Sequence, residues 1–145
     1  MTFTIKRKYL LGLGTWLQGL FLQGQDSRNR TKFVEMIGEE LKENEETRLE
    51  IVKKYAKLDD KKEPILVEKE DGSKHYEIPD DKLPEFQKEF IAFLETDFSC
   101  GGPGLKTRLE AVKNIVLNTT VEIDPKIAAD YDAWCNAFEA MSSAE

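Results

Sequence analysis

At 145 residues the chain has room for one ordinary domain with a buried core, and 40 % hydrophobic with 34 % charged residues is a globular, not a disordered, composition. Its net charge of −7 is uneven: residues 1–33 carry six Lys or Arg against one Asp, and the rest carries 15 basic against 27 acidic residues. Most of the chain would repel phosphate, which argues against a duplex nucleic-acid binder.

Thr2-Phe3-Thr4-Ile5 alternates polar and apolar residues and predicts a short strand. From Lys8 to Leu22, the spacing of Leu10, Leu13, Leu17, Leu20 and Phe21 predicts a helix, with Trp16 among its core residues. Gly12, Gly14 and Gly19 each cost such a helix about 1 kcal/mol relative to Ala, so close packing against another element is their expected use. This apolar stretch is too short and too interrupted to span a bilayer, which needs roughly 20 residues. It follows Lys6-Arg7-Lys8 as a signal sequence would, but Gln25-Asp26-Ser27-Arg28-Asn29-Arg30 stands where a small-residue cleavage site belongs.

Gln23–Ser27 reads as a turn, with Asp26 or Ser27 capping a second helix over residues 28–57. Phe33, Ile37 and Leu41 start its apolar face, and Ile51, Val52 and Tyr55 resume it. Between them Lys42–Arg48 holds no large apolar residue, and Glu39/Lys42, Glu45/Arg48 and Glu50/Lys54 are spaced for ion pairs, so a solvated, continuous helix is expected. At 1.5 Å per residue it spans about 45 Å, twice its predecessor, and either projects as an arm or is covered by later elements.

Ile65–Lys69, Asp71-Gly72 and His75–Ile78 give a β-hairpin within 63–78. Asp80 or Asp81 then caps a helix over 81–97, with Pro84 in its first turn and Leu83, Phe86, Phe90, Phe93 and Leu94 as its stripe. Cys100-Gly101-Gly102-Pro103-Gly104 breaks the chain. A helix over 105–118 follows, with Leu105, Leu109, Val112 and Val116 inward. Thr119–Ile123 is β-prone, and Asp124-Pro125 opens a last helix over 125–141 with Ile127, Tyr131, Trp134, Phe138 and Met141 inward. The whole is an α-dominated α+β single domain, 1–145, in which a helical hairpin 8–57 precedes the β-hairpin and the C-terminal helices.

The chemistry-bearing residues are sparse. Gly101–Thr107 suggests a phosphate loop, yet Leu105 separates the glycines from Lys106-Thr107 and the preceding segment reads as helix, so a linker is the better reading. His75 is the only histidine and sits in a polar hairpin; Cys100 and Cys135 make neither a disulfide framework nor a zinc pattern. Asp124, Asp130 and Asp132 lack calcium-loop spacing. No catalytic, metal or cofactor site is expected.

The odd segment is Gly24–Phe33, where Arg28, Arg30 and Lys32 surround a helix N-terminus whose dipole they oppose. Either an internal carboxylate compensates, fixing the first helical hairpin, or Gln25, Asp26, Arg28, Arg30 and Lys32 form a partner-binding surface. Here the sequence resembles a family of small, uncharacterised bacteriophage proteins, through Leu20-Phe21-Leu22-Gln23-Gly24 and Asp26-Ser27-Arg28-x-Arg30-Thr31. Lys54-Tyr55, Asp71-Gly72, Phe86-Gln87-Lys88-Glu89 and Tyr131-Asp132-x-Trp134-Cys135-x-x-Phe138-Glu139 extend the resemblance over most of the chain. It implies a phage or prophage origin and transfers no activity.

The resulting expectation is a non-enzymatic phage accessory protein in the host cytoplasm that binds a host or phage protein. The alternative is a virion-associated component that self-assembles as a homo-oligomer. A small nucleotide-dependent enzyme ranks behind both.

Overall fold

The computed structural model of the chain describes residues 1–141. Alternation at the N-terminus gives β1 (Thr2–Lys6), whose Phe3 and Ile5 are buried while Thr2, Thr4 and Lys6 face out. A 3-10 turn over Arg7–Tyr9 leads into α1 (Leu10–Gln18), which buries Leu10, Leu13, Gly14 and Leu17 at helical spacing. The helix stops at Gly19, four residues earlier than the periodicity predicts, and Leu20–Gln23 is irregular. Then α2 (Gly24–Tyr55) runs unbroken through 32 residues, including the solvated Lys42–Arg48 stretch. Its start is earlier than expected, and the Gln23 carbonyl accepts from the Asp26 and Ser27 amides at 3.1 and 3.4 Å.

The expected hairpin is present as β2 (Leu66–Glu68) and β3 (Lys74–Tyr76), antiparallel, with Val67 opposite His75. The Asp71 carboxylate accepts from the backbone and hydroxyl of Ser73 at 2.9 and 2.6 Å, closing the turn. Next comes α3 (Leu83–Leu94), with Pro84 in its first turn. It ends short of residue 97. Asp97–Gly101 is instead a strand, β4, antiparallel to β1 with Phe3 opposite Cys100 and Lys6 opposite Asp97. A Cβ on Gly101 would stand 2.6 Å from the Met1 carbonyl oxygen, so only glycine fits this approach.

A 3-10 turn over Pro103–Leu105 precedes α4 (Lys106–Leu117), and one over Pro125–Ile127 precedes α5 (Ala128–Glu139). Asp124 caps the latter by accepting from the Lys126 amide at 2.8 Å. No strand forms over Thr119–Ile123, where the Thr119 hydroxyl accepts from the Val121 amide at 3.2 Å and bends the backbone locally. The architecture is α+β and dominated by five helices, the second long.

Read as one domain in sequence, the chain divides in space into two compact units: Met1–Leu41 with the chain from Glu95 onward, and Lys42–Leu94. In the first, β1, α1, α4, α5 and the start of α2 enclose a core of Phe3, Leu10, Leu13, Leu17, Phe33, Ile37, Leu109, Val112, Val116, Trp134 and Phe138. Phe3 stacks on Phe138 with ring centroids 4.4 Å apart and meets Phe33 edge-on at 5.7 Å. Trp16, expected in the core, is only half-buried, with its ring 5.6 Å from those of Tyr131 and Trp134.

The glycines of α1 divide by role. A Cβ at Gly12 would meet Trp134 at 3.1 Å and one at Gly14 would meet Ile37 at 3.4 Å, as close packing requires. Gly19 differs: it ends the helix, its amide donating to the Trp16 carbonyl at 3.2 Å.

In the second unit, Ile51, Val52 and Ala56 are buried. The α3 stripe stays half-exposed, with Phe86 stacked on Phe90 at 6.0 Å and edge-on to Tyr55 at 6.4 Å. Lys54 reaches across to Glu89 at 2.9 Å, not along its own helix to Glu50 as its spacing suggests.

Candidate functional site

The corner between α1 and α2 carries the segment singled out by its charge. An α-helix leaves its last carbonyls without intrahelical partners, and these carry partial negative charge. Arg30, early in α2, adds a charged donor at this end: its Nη1 donates to the carbonyls of Leu17, which already accepts from the Leu20 amide at 3.2 Å, and of Leu20, both at 2.8 Å. Its Nη2 lies 3.5 Å from Ser27 Oγ. The compensation for a cation near the α2 N-terminus is thus the C-terminal end of α1. No carboxylate is needed, contrary to the expected bridge, although the expected fixing of the helical hairpin is achieved. A cation at a helix C-terminus is favourable by about 0.3–1 kcal/mol beyond the hydrogen bonds themselves.

The other candidate residues lie outside this brace. Gln25, Asp26, Arg28 and Lys32 are all exposed on the first turns of α2. Asp26 is favourably placed against the helix dipole. Lys32 makes a loose surface pair with Glu35 at 3.6 Å. Gly24 begins the helix at φ +51°, a left-handed conformation that turns the chain out of the loop and that side-chain-bearing residues rarely adopt.

One residue of the corner escaped the sequence reading, which counted it among the inward residues of the first helix. Phe21 is 104 % exposed, its ring wholly in solvent. Because α1 ends at Gly19, the helical periodicity no longer governs Leu20, Phe21 and Leu22. Leu20 and Leu22 pack against the core and Phe21 is left facing out. Three consecutive large apolar residues cannot all point inward, and that was the available signal. Beside it lies a groove of about 390 Å³ lined by Leu20, Phe21, Leu22, Asp26, Ile115 and Val121, together with the amide and hydroxyl side chains of Asn114, Asn118, Thr119 and Thr120. Val121 is itself half-exposed. The corner is therefore an apolar knob on a mixed polar and apolar shelf that includes Asp26, its loop held by Arg30 through the Leu20 carbonyl.

Groups with chemical potential elsewhere are placed against reactivity. Burial pushes the Cys100 thiol up to about 11, and burial also raises that of Cys135, both away from the thiolate form. Burial raises the Tyr131 hydroxyl to about 12, and it donates to the Val116 carbonyl at 2.7 Å. His75 is exposed on β3. Among the described residues no three His, Cys, Asp or Glu side chains gather as a metal-binding group.

The glycine-rich segment follows a strand, β4, where the sequence reading placed a helix, so its order is strand–loop–helix. Two of its amides are engaged within the fold: that of Gly102 donates to the Met1 carbonyl at 3.3 Å and that of Leu105 to the Gly102 carbonyl at 3.1 Å. Leu105 still separates the glycines from Lys106. Among the described residues no helix is long and apolar enough to cross a membrane. No protein-family model matches the chain, and no curated protein or solved structure matches it.

Proposed function

We propose that the chain is a non-enzymatic phage accessory protein that acts in the host cytoplasm by binding a host or phage protein, through the corner between α1 and α2. The observation that carries the binding site is Phe21: a fully exposed aromatic ring on a braced loop, at the edge of a groove. Solvent-exposed apolar residues scattered singly are ordinary, but an aromatic knob beside further exposed apolar surface is the composition of an interface anchor. Bracing matters because a loop backbone already held in place loses little entropy on binding. Phage origin rests on the sequence resemblance.

Affinity capture of the tagged chain from infected and uninfected host lysates tests this, run beside Phe21→Ser. The reading expects a stoichiometric protein retained by the wild type and lost with the variant, whose melting temperature stays unchanged because the ring packs on nothing. Capture of nothing specific, or of the same proteins by both forms, overturns it.

Self-assembly as a virion-associated component is the second reading. The close-packed glycines of α1 do not carry it, since Gly12 and Gly14 face Trp134 and Ile37 of the same chain. A different feature does: a shallow groove of about 150 Å³ without a charged residue, lined by Leu11, Gly14, Thr15, Gln18, Val34, Ile37, Gly38 and Leu41, with Leu11 65 % exposed. A defined oligomer in solution, dissociated by Leu11→Glu, would select it over the first.

A further inference from the structure

The first unit is discontinuous: the chain leaves it after Leu41 and re-enters it at Glu95. The residues on both sides of that gap are held by one short run, Lys6-Arg7-Lys8. Arg7 Nη1 donates to the Glu40 carboxylate just before the exit. At the re-entry, the Arg7 amide donates to the Thr96 carbonyl at 3.0 Å and Arg7 Nε to Thr96 Oγ1 at 3.0 Å. Lys6 and Lys8 take one oxygen each of Glu95, at 2.7 and 2.6 Å. The β1–β4 ladder begins beside these contacts, at Lys6 and Asp97. The Arg7 and Glu40 side chains are only 20 % and 17 % exposed, so this pair is better shielded than a surface salt bridge.

Burial is lopsided between the units. Every side chain exposed by less than 2 % lies in the first unit; the second contributes Ile51, Val52 and Ala56 to the buried apolar set, and α3 contributes nothing fully buried. Regions with little buried apolar surface open at lower free energy than the core. When the second unit opens, residues 42–94 become a long loop whose ends must be held together against its entropy. Contacts at the neck of the first unit are what can hold them.

We propose that Lys6-Arg7-Lys8 is a clasp that closes the first unit at the neck from which the second is inserted, so that residues 42–94 open while the first unit stays folded.

The chain carries its own reporters, because both tryptophans, Trp16 and Trp134, lie in the first unit. Val52→Asp places a charge in the buried surface of the second unit. The clasp predicts a loss of helical circular dichroism with tryptophan emission unchanged. Adding Glu40→Gln and Glu95→Gln to that variant then moves the tryptophan urea midpoint to lower urea. Tryptophan emission that red-shifts in Val52→Asp alone overturns the proposal, as does a midpoint indifferent to the two Gln substitutions. Should Val52→Asp not yield folded protein, native-state hydrogen exchange of the unaltered chain decides: amides of 42–94 are expected to be at least tenfold less protected than those of β1, α1 and α5. Equal protection in both units would contradict it.

Discussion

Arg28 and Arg30 are two residues apart on one helix and do opposite things. Arg30 spends its guanidinium on two carbonyls at the end of α1, while Arg28 lies exposed. Arg30→Ala removes charged donors from partly buried carbonyls and is expected to cost about 1.5–3 kcal/mol, several degrees in melting temperature. Arg28→Ala is expected to stay within about 0.5 kcal/mol of wild type. Thermal melts of the two single variants check both, and equal effects would contradict the brace. The sequence identified this segment through its clash with the helix dipole, but the partner was invisible there: backbone carbonyls carry no sequence signature, and where they become free depends on where α1 ends. Glu95 offers a second test. Hydrogen bonds from Lys6 and then Lys8 hold its carboxyl well below the usual range, at about 2. A carboxylate depressed on folding contributes stability that is complete above the unfolded value near 4.3 and is lost as pH falls toward the folded value. Glu95→Gln should therefore destabilise the chain at pH 7 and much less at pH 2.5, in paired urea titrations.

At the scale of elements, the helices were legible because their apolar faces recur at helical spacing, and α2, α4 and α5 follow their stripes closely. Several boundaries were not, two of them with consequences for the site and the sheet. The first helix ends at Gln18 with Gly19 as its C-cap, a stop that the apolar run Leu20-Phe21-Leu22 masks in the sequence, and Arg30 reaching back from α2 holds the loop that follows. The strand β4 was overrun by the preceding helix, although Asp97-Phe98-Ser99-Cys100 alternates as a strand should, with Phe98 and Cys100 packed on the core. Its partner β1 lies some ninety residues away, a pairing no local pattern announces. Glycines allow a contrast between helices. Gly12→Ala gains helix propensity but drives a methyl to 3.1 Å from Trp134, whose indole is buried and tied to the Tyr9 carbonyl at 3.1 Å, so net destabilisation of about 1–2 kcal/mol is expected. Gly38→Ala in α2 meets open space and should stabilise by about 0.5–1 kcal/mol. Denaturant midpoints of the two variants should shift in opposite directions.

For the molecule as a whole, charge and packing tell different parts of the account. Within the basic N-terminal portion, Lys6, Arg7 and Lys8 pair with acids of the same chain, Glu40 and Glu95, whereas Arg30 reaches backbone carbonyls. The division at Leu41 and Glu95 was foreshadowed only by the apolar gap over Lys42–Arg48, which reads equally well as the exposed middle of one helix. Function was the least legible level, because a binding corner is made of exposure, and exposure is settled by the fold. The central claim is that the corner carrying Phe21 meets a protein partner, and the most direct measurement is site-specific photo-crosslinking in infected cells. A photoreactive phenylalanine analogue replaces Phe21 in one sample and Leu58, a half-exposed apolar residue of the second unit, in another. The account predicts one discrete crosslinked protein from position 21 and none of that species from position 58. No crosslink at position 21, or the same species from both positions, would contradict it.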